Sequence, residues 1–437
     1  MTSVETNVAL LGYGTVGAAV DRLLTESADD IERATGHRLR VVKALVRDLG
    51  KERDHRPRAG VLTDDFAEVA DDESIAVVAE VMGGIDPAGG YVLELLSRGK
   101  NVVSANKQLV ARRGAELFAA ASAAGVQLRF EASVCAAIPV IKVLRESLVV
   151  TNVHRVLGIV NGTTNFVLTE MEAGKTYDEA LAEAQARGYA EADPTDDVSG
   201  ADAAAKMAIL ATVAFNSRVP IEDVSTTGIT AIDPLDVAAA RDLDMVIRLV
   251  GTARLVDGRY DVRVQPSLVD KQHPLAKVDG AFNAVMLQGD AIREITLEGP
   301  GAGGLETASA VIADITSVIG TMGTGFLQND AAWRELPRLP SGDSRSPFYF
   351  RLSVEDRPGA LARVADGLAE HEISIARLLQ HQNGTGGGAA LHVVTHETRM
   401  GALDDALADL GELPEVHRRS QPLPVVSDRG VAELGWA

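Results

Sequence analysis

The feature that most limits the fold is the alternation of short apolar segments with amphipathic segments in the first third of the chain. We predict strands at 7–11, 41–46, 75–82, 101–106 and 126–133, and the segments between them have helical periodicity. Alternating strands and helices form a mainly parallel sheet that is covered by helices on both faces. The sequence therefore predicts a doubly wound α/β domain over residues 1–140. We expect a later segment, at about 300–335, to pack against this domain and complete it.

Three glycines stand between the first predicted strand and the first predicted helix, which we expect to continue to about residue 35. Gly12, Gly14 and Gly17 match G-x-G-x-x-G in the segment GYGTVG. Such glycines allow a tight turn and a close approach of the backbone, and the helix N-terminus then offers free N–H groups to a pyrophosphate. The motif predicts a dinucleotide site that includes Thr15 and Val16.

The end of the second predicted strand bears on which dinucleotide is bound. A ribose-binding acid at this point favours NAD, and a basic residue favours the 2′-phosphate of NADP. Arg47 and Lys51 favour NADP, whereas Asp48 leaves NAD open.

The composition excludes several classes of function. The chain has 437 residues and a formal net charge of −20, which argues against a nucleic-acid partner. It has no apolar run of about 18 residues and no signal-like N-terminus, so we expect neither a membrane span nor export. The one cysteine, Cys135, excludes an intrachain disulfide and fits a reducing cytoplasm.

Two further domains are predicted after the nucleotide domain. Residues 141–299 form a mixed α+β domain, residues 338–347 a polar linker, and residues 348–424 a ferredoxin-like βαββαβ unit, followed by a tail at 425–437. In the α+β domain we predict strands at 156–160 and 262–269, a hairpin at 284–298, and helices at 165–173, 177–187, 199–214 and 235–240.

Several polar residues are candidates for chemistry. Lys107 follows a predicted strand at the sheet edge where ligands bind in doubly wound folds. A lysine there can bind a phosphate, donate to a developing oxyanion, or simply lie in solvent. Asp202 and Lys206 are four apart in a predicted helix and so share a face, as a proton-transfer pair or as a surface ion pair. In NGTTNF, Thr163 or Thr164 is expected to cap a helix.

Together these motifs resemble the homoserine dehydrogenase family over nearly the whole chain. The family signature, A-x3-G-[aromatic]-[small]-x2-D-P-x2-D-V-x-G-x-D-x3-K, is matched by Ala184, Gly188, Tyr189, Asp193, Pro194, Asp197, Val198, Gly200, Asp202 and Lys206. The blocks GYGTVG, VMGG, SANK, NGTTNF, HPLA, FNAV and GPGAGG follow in the family's order, and the C-terminal unit resembles an ACT domain. The resemblance implies a Rossmann-like nucleotide domain, an α+β catalytic and dimerisation domain, and a C-terminal ACT domain.

The resemblance also implies a reaction and a set of roles. The reaction is the NAD(P)-dependent interconversion of L-homoserine and L-aspartate 4-semialdehyde, on the route to threonine, methionine and isoleucine. By resemblance, Lys107 and Lys206 meet at the reacting oxygen with Asp202 beside Lys206. Substrate-binding roles fall to Glu191, Gly188 and Asp197, and cofactor-binding roles to Lys107, Gly301 and Gly303.

In the segment 131–138, alternate backbone carbonyls and a Glu carboxylate are of the kind that can hold a hard cation, and the resemblance implies a structural sodium site there. Glu131 and the carbonyls of Val134, Ala136 and Ile138 match the family's structural sodium loop, although Ala136 and Ala137 replace family glycines and Lys142 adds a charge nearby. From the residues alone, Cys135 is expected to be a buried core residue. Near Gly303, Glu306 stands where the family usually has proline.

The ACT-like unit implies binding of an end-product amino acid, with threonine the family's expectation. Asp356 and Gly359 in its first turn are the expected contacts, at an interface between two such units of a homodimer or homotetramer. A module that serves only in dimerisation is the alternative.

A lysine base works near neutrality only if its pKa is lowered, so we expect Lys107 and Lys206 to lower each other's pKa.

The sequence leaves two alternative functions open. An aspartate-semialdehyde dehydrogenase would need a nucleophilic cysteine, and Cys135 lies in the wrong context for one. A non-catalytic nucleotide-linked sensor would leave both lysines and Asp202 unexplained.

Overall fold

The computed structural model describes residues 4–53, 55–322, 335–383 and 388–426. Most of the predicted C-terminal tail and the centre of the NGTGGG loop therefore lie outside the described residues. The chain divides into two compact units. The first contains Met1–Val156, Ala205–Glu222 and Asn283–Glu335, and the second contains Leu157–Ala204, Asp223–Phe282 and Leu336–Ala437.

The strands, in chain order, are β1 (Val4–Leu11), β2 (His37–Leu45), β3 (Leu62–Thr63), β4 (Ile75–Glu80), β5 (Asn101–Ser104), β6 (Leu128–Arg129), β7 (Val153–Ile159), β8 (Ser225–Thr226), β9 (Met245–Val256), β10 (Arg259–Asp270), β11 (Phe282–Gly289), β12 (Arg293–Pro300), β13 (Arg345–Ser346), β14 (Phe348–Glu355), β15 (Ile375–Asn383), β16 (Gly388–Thr395), β17 (Thr398–Arg399), β18 (Val416–Arg419) and β19 (Leu423–Val426).

The α-helices are α1 (Thr15–Glu26), α2 (Ala28–Thr35), α3 (Ala67–Ala70), α4 (Ala88–Ser97), α5 (Lys107–Ala124), α6 (Val140–Lys142), α7 (Gly162–Glu172), α8 (Tyr177–Ala186), α9 (Thr195–Val198), α10 (Ala201–Phe215), α11 (Pro234–Asp242), α12 (Gly304–Thr321), α13 (Ala360–Glu370) and α14 (Met400–Gly411).

The first unit contains a parallel sheet in the order β3-β2-β1-β4-β5-β6. The order reverses between β1 and β4, so the loops after these two strands diverge and leave a crevice at the carboxyl edge, where dinucleotides bind in this fold. The predicted doubly wound α/β class is confirmed.

Helix α12 brings the chain back to this sheet. Its buried face, with Ala308, Val311, Ile315 and Val318, packs in one core with strand residues that include Val8. The apolar residues recur at intervals of three and four, which places them on one helical stripe. The helix thereby covers one face of the sheet. The glycine-rich segment GPGAGG, which leads into the helix, therefore lies near the loop between β1 and α1.

The second unit is built on a long antiparallel pair, β9 and β10, whose register runs from Met245 against Asp270 to Val256 against Arg259. Strand β19 adds to β10 in parallel, and β14, β16 and β15 follow in antiparallel order. With α13 and α14, these C-terminal strands give the predicted βαββαβ order.

The linker predicted at 338–347 is bonded to β10. The Tyr260 N–H donates to the Pro337 carbonyl at 3.0 Å, and the Leu339 N–H donates to the Tyr260 carbonyl at 2.7 Å. Polar composition alone does not reveal this, because the bonds are made by the backbone. The boundaries of the three domains that were predicted from the sequence remain a prediction.

Three elements differ from the sequence prediction. Strand β9 was not predicted, although its segment MVIRLVGTARLV is rich in β-branched residues. The first helix ends at Glu26, and α2 follows as a separate helix. The strand predicted at 126–133 is limited to Leu128–Arg129, because a 3₁₀ turn at Glu131–Ser133 follows and the Glu131 N–H donates to the Asp314 carboxylate.

Of the helices in the described part of the chain, none combines the length and the apolar character needed to cross a bilayer.

Candidate active site

The first glycine motif has the geometry expected of a phosphate-binding turn. Gly12 has φ of +106°, and a Cβ there would lie 3.0 Å from the Val81 carbonyl oxygen; a Cβ on Gly17 would lie 2.4 Å from the Gly12 oxygen. At Gly14 a Cβ would meet no atom of the described residues within 4 Å. Gly12 and Gly17 are thus needed by the fold itself, whereas Gly14 faces open space at the start of α1.

The second glycine motif, GPGAGG, lies beside the first. A Cβ on Gly304 would lie 2.9 Å from Cγ2 of Thr15. Gly301 is pressed against the buried amide of Asn283, and Gly303 has φ of +138°. The structure therefore brings Gly301 and Gly303 to the same edge of the first unit as the Gly12–Gly17 turn. Close to them, Glu306 bends back over Gly303, within 2.0 Å of where a Cβ on that glycine would be.

The segment after β2 is a folded basic turn. The guanidinium of Arg53 donates to the carbonyls of Lys51 at 2.6 Å and Asp48 at 2.7 Å, and the Asp48 carboxylate accepts from the Gly50 N–H at 2.8 Å. Arg47, Asp48 and Lys51 are all exposed, and one carboxylate oxygen of Asp48 is engaged in its own turn.

Lys107 is the first residue of α5, at the carboxyl end of β5. Asn106 caps this helix, since its side chain accepts from the Leu109 N–H at 3.1 Å. The N-terminus of a helix carries partial positive charge, so an ammonium there gains nothing from the helix dipole.

Asp202 and Lys206 lie one turn apart near the start of α10. They are only 4 % and 8 % exposed, which excludes the surface ion pair considered from sequence. Asn161 donates through Nδ2 to Asp202 at 2.9 Å and to Asp197 at 2.7 Å. A neutral amide between two carboxylates offsets their repulsion and fixes Asp202 on the helix face that it shares with Lys206.

Asn161 also caps α7, in place of the predicted threonines. Its Oδ1 accepts from the Thr164 N–H and hydroxyl, both at 2.8 Å. The Thr163 hydroxyl instead donates to the Tyr189 carbonyl at 2.6 Å and so ties the helix start to the turn that contains Gly188. Gly188 has φ of +76° and is exposed, as is Glu191, so both are open to a ligand.

The loop at 131–138 encloses a buried carboxylate. Glu131 is 2 % exposed, and its two oxygens accept from the Ile141 N–H at 2.8 Å and the Lys142 N–H at 2.7 Å. Burial, and then the nearby Asp314 carboxylate, raise the pKa of Glu131 to about 7. Lys142 lies 3.7 Å from Asp314 and donates to the Ala313 carbonyl at 2.9 Å. Burial also raises the pKa of Asp314, while Lys142 and the Arg129 guanidinium oppose that shift.

The backbone of this loop is left-handed at two residues that are not glycine. Cys135 and Ala136 have φ of +54° and +37°, which is the left-handed conformation that the family's glycine would favour. No group of three or more His, Cys, Asp or Glu side chains in the described ranges could hold a metal, so an ion here would depend on backbone carbonyls. Cys135 is 1 % exposed, as expected of a core residue.

The first turn of the C-terminal unit has an open face. Asp356 and Gly359 are exposed, and Gly359, with φ of +92°, precedes α13. Nε2 of Gln380 lies 3.5 Å from the Asp356 carboxylate.

Three residues with site contacts were not predicted from the sequence: Asn161, Asn106, and Thr163 as a contact to Tyr189. Each lies within or next to one of the sequence motifs described above, so the motif indicated the region of the chain. Its partners are distant in sequence, however, and only the folded chain identifies them.

Comparisons with known protein families agree over most of the chain. Residues 12–131 match the model described as the NAD binding domain of homoserine dehydrogenase, residues 139–316 match homoserine dehydrogenase, and residues 348–413 match the ACT domain.

Relatives and solved structures agree with these matches. The chain is 42% identical to a Mycobacterium tuberculosis homoserine dehydrogenase over 427 residues, covering 94% of this chain and 95% of the relative. A crystal structure from Thiobacillus denitrificans has a TM-score of 0.91 at 38% identity, covering 98% of this chain and 100% of that one. A hyperthermophilic archaeal homoserine dehydrogenase mutant, solved in complex with NADPH, has a TM-score of 0.61 at 30% identity, covering 72% of this chain and 98% of that one. The chain therefore belongs to the homoserine dehydrogenase family.

Proposed function

We propose that this enzyme interconverts L-homoserine and L-aspartate 4-semialdehyde with NADP(H), and that Lys206 and Lys107 act at the reacting oxygen. Family membership supplies the reaction and a nicotinamide cofactor. In the reducing direction a hydride passes from the nicotinamide to the aldehyde carbon, and the oxygen gains a proton to become the hydroxyl. A lysine ammonium can donate that proton and can stabilise the developing oxyanion.

The observation that supports this best is the burial of Lys206 beside Asp202. A lysine that is 8 % exposed costs free energy unless its charge is used or paired. Asn161 holds Asp202 in place, so the carboxylate is available to orient or balance the ammonium. A residue that only served solubility would not be buried in this way.

For the substrate's amino group we propose Glu191, with Gly188 and Asp197 completing the site. The exposed Glu191 carboxylate would attract the ammonium of the amino acid. Asp197 is fixed by Asn161, and the Gly188 turn is fixed by Thr163, so both are positioned before any ligand binds.

The proposed preference for NADP is supported by the basic turn after β2. Arg47 and Lys51 are exposed, whereas Asp48 accepts a bond within its own turn and is less available to a ribose hydroxyl. The archaeal relative was solved with NADPH. Replacing both Arg47 and Lys51 with Ala should raise the KM for NADP far more than that for NAD. Equal increases would contradict the assignment.

The test of the reaction is homoserine-dependent formation of reduced nicotinamide, with NADP and NAD compared. Lys206→Ala should lower kcat by about 10²–10⁴-fold with little change in the KM for cofactor, whereas Lys107→Ala should lower kcat and also raise that KM, because a cofactor-binding role falls to Lys107 as well. Lys271→Ala, at an exposed ion pair with Asp244, is the matched control and should retain full activity. A Lys206→Ala enzyme with more than about a tenth of the normal rate would refute the assignment.

We also propose that the 131–138 loop binds Na⁺ through Glu131 and the carbonyls of Val134, Ala136 and Ile138. The ion would stabilise this loop and would take no part in the reaction. It is supported by the buried Glu131 carboxyl group, which lies beside the loop, and by the left-handed backbone at Cys135 and Ala136. Replacing Na⁺ with choline at constant ionic strength should lower the Tm, and Glu131→Gln should remove that difference. Equal Tm values in both salts would contradict the site.

For the C-terminal unit we propose threonine as the effector, bound near Asp356 and Gly359 between ACT units of a cytoplasmic homodimer or homotetramer. The support is the exposed turn and the ACT match. Titrating the enzyme with threonine should inhibit it, and Asp356→Ala should weaken the inhibition. A flat response to millimolar threonine would leave only a structural role for the unit.

A further inference from the structure

Glu80 is a fully buried carboxylate for which the reaction described above has no use. It is the last residue of β4, and its exposed fraction is 0 %. Burial raises the pKa of this carboxyl group, while hydrogen bonds from Ser104, Met82 and Asn106 oppose the shift. A buried acid is costly compared with an apolar residue, so its contacts should reveal a use.

The carboxylate connects the loops that follow two neighbouring parallel strands. Oε2 accepts from the Ser104 hydroxyl at 2.7 Å, across the β4–β5 register in which Glu80 and Ser104 are paired. Oε1 accepts from the Met82 N–H at 2.9 Å and from Nδ2 of Asn106 at 3.3 Å. One side chain thus holds the VMGG loop after β4 and the SANK loop after β5.

Asn106 connects these hydrogen bonds to the start of α5. Its Nδ2 also donates to the Gly84 carbonyl at 2.6 Å, and its backbone N–H donates to the Ser104 hydroxyl at 3.1 Å. Its Oδ1 caps the helix through the Leu109 N–H. Because Lys107 is the next residue and the first of α5, its backbone is fixed by the same set of bonds.

We propose that Glu80 is a positioning residue that acts through Asn106 to place the Lys107 amine at the reacting oxygen. The inference rests on the role proposed for Lys107 above. Lysine has a long flexible side chain, so a fixed backbone at its root limits the positions that its amine samples. A displacement of about 1 Å at such a group can cost about 10²-fold in rate.

The test uses the full-length enzyme and three variants in this network. Asn106→Ala and Glu80→Ala should lower kcat by roughly 10–100-fold, and neither should raise the KM for NADP more than Lys107→Ala does. Glu80→Gln should keep at least about half of the normal kcat, because its carbonyl can accept from Met82 and Asn106 while its amide donates to Ser104.

Asn101→Ala is the matched control, because it removes a buried amide from the opposite end of the same strand. Asn101 accepts from the Gln127 N–H at 3.0 Å, so its loss should lower stability while kcat stays normal. A drop in kcat for Asn101→Ala equal to that for Asn106→Ala would overturn the inference, as would a Glu80→Gln enzyme as slow as Glu80→Ala.

Lys107→Ala and the double variant Asn106→Ala/Lys107→Ala separate this inference from the proposal on which it rests. If Glu80 and Asn106 act through Lys107, the double variant should be no slower than Lys107→Ala alone. Additive losses would overturn the inference while leaving the lysine's role intact. If Lys107→Ala keeps full kcat, the role of Lys107 fails and the inference fails with it. Should Glu80→Ala not fold, Asn106→Ala and Glu80→Gln decide the outcome.

Discussion

At the scale of single residues, Gly14 and Gly17 of the first glycine motif have different roles. A Cβ on Gly17 would lie 2.4 Å from a backbone oxygen, whereas one on Gly14 would meet open space, with φ of −88° that any residue adopts. Gly17 is therefore needed for folding, whereas Gly14 faces the open space in which we expect the pyrophosphate of the cofactor to bind.

We predict that Gly14→Ala keeps the normal Tm and raises the KM for NADP about tenfold or more, because the added methyl group occupies the space left for the phosphate. Gly17→Ala should lower the Tm, because the backbone contact cannot relax cheaply. Thermal melts and cofactor titrations of both variants test this. A Gly14→Ala enzyme with normal cofactor binding would contradict it.

Asn161 joins helix capping to the geometry of two carboxylates. We predict that Asn161→Ala costs about 1 kcal/mol for the lost cap and lowers kcat, since Asp197 and Asp202 lose their shared donor. Urea unfolding and steady-state kinetics measure the two effects. The matched control is Asn152→Ala, which removes an exposed amide bonded to Asp290 at 2.7 Å and should alter neither.

At the scale of elements, β14 of the C-terminal unit is linked to α11 by buried polar contacts. The Tyr349 hydroxyl and Nε of Arg351 both donate to Asp236 on α11 at 3.0 Å. The Tyr349 hydroxyl is also bonded to Nδ1 of His392 on β16 at 2.9 Å. Such a network fixes the relative position of the elements that it joins, because each lost bond leaves a buried polar group.

This network should make stability depend on pH. Burial lowers the pKa of His392 below its ordinary 6.5, with His381 and Arg351 lowering it further, while Asp236 and Asp242 oppose them. The unfolded chain then binds more protons, so stability present above pH 6.5 is lost as the pH falls through the folded-state pKa. One proton contributes at most about 1.4 kcal/mol per pH unit.

We predict that lowering the pH from about 7.5 to about 5.5 lowers the urea midpoint of the enzyme relative to that of His392→Asn; the raised pKa of Glu131 acts in the opposite direction in both proteins and cancels in this comparison. His371→Asn, at an exposed pair with Asp409, is the control and should leave the slope unchanged. An unaltered slope in His392→Asn would contradict the assignment.

At the scale of the whole molecule, the C-terminal unit is continuous with the α+β region. Strand β19 extends the sheet at β10, pairing Val425 with Leu268 and Val426 with Val269. The Ser344 hydroxyl, in the preceding segment, donates to the buried Asp261 at 2.8 Å. Burial alone would raise the pKa of Asp261, but Arg263 and Arg254 hold it below its ordinary value.

We predict that truncation after Pro347 gives an unstable or aggregating protein rather than an unregulated enzyme. The cut removes β19 and leaves the edge of β10 unpaired, and an exposed edge strand promotes association between chains. Size-exclusion chromatography and thermal melts of the truncated chain test this. Adding the separately expressed segment 348–437 should restore a monodisperse species, and a truncated chain with the normal Tm would refute the prediction.

The sequence by itself determined the elements that depend on local pattern. Apolar periodicity gave the doubly wound class and the βαββαβ unit, and the spacing of Asp202 and Lys206 put them on one helical face. Local pattern failed to predict conformation where the conformation depends on hydrogen bonds between residues that are distant in sequence. Pairing along its whole length with β10 makes β9 a strand, and the bond from the Glu131 N–H to Asp314 accompanies the early end of the strand predicted at 126–133.

Only the tertiary structure decided the partners of the site residues. It buried Asp202 and Lys206, chose Asn161 as the cap of α7, and brought Glu80 to Asn106 across two parallel strands. The physical reason is that a sequence specifies which side chains share a turn of helix or a face of a strand. Which groups meet across the crevice depends on how separate elements pack, and that is a property of the whole folded chain.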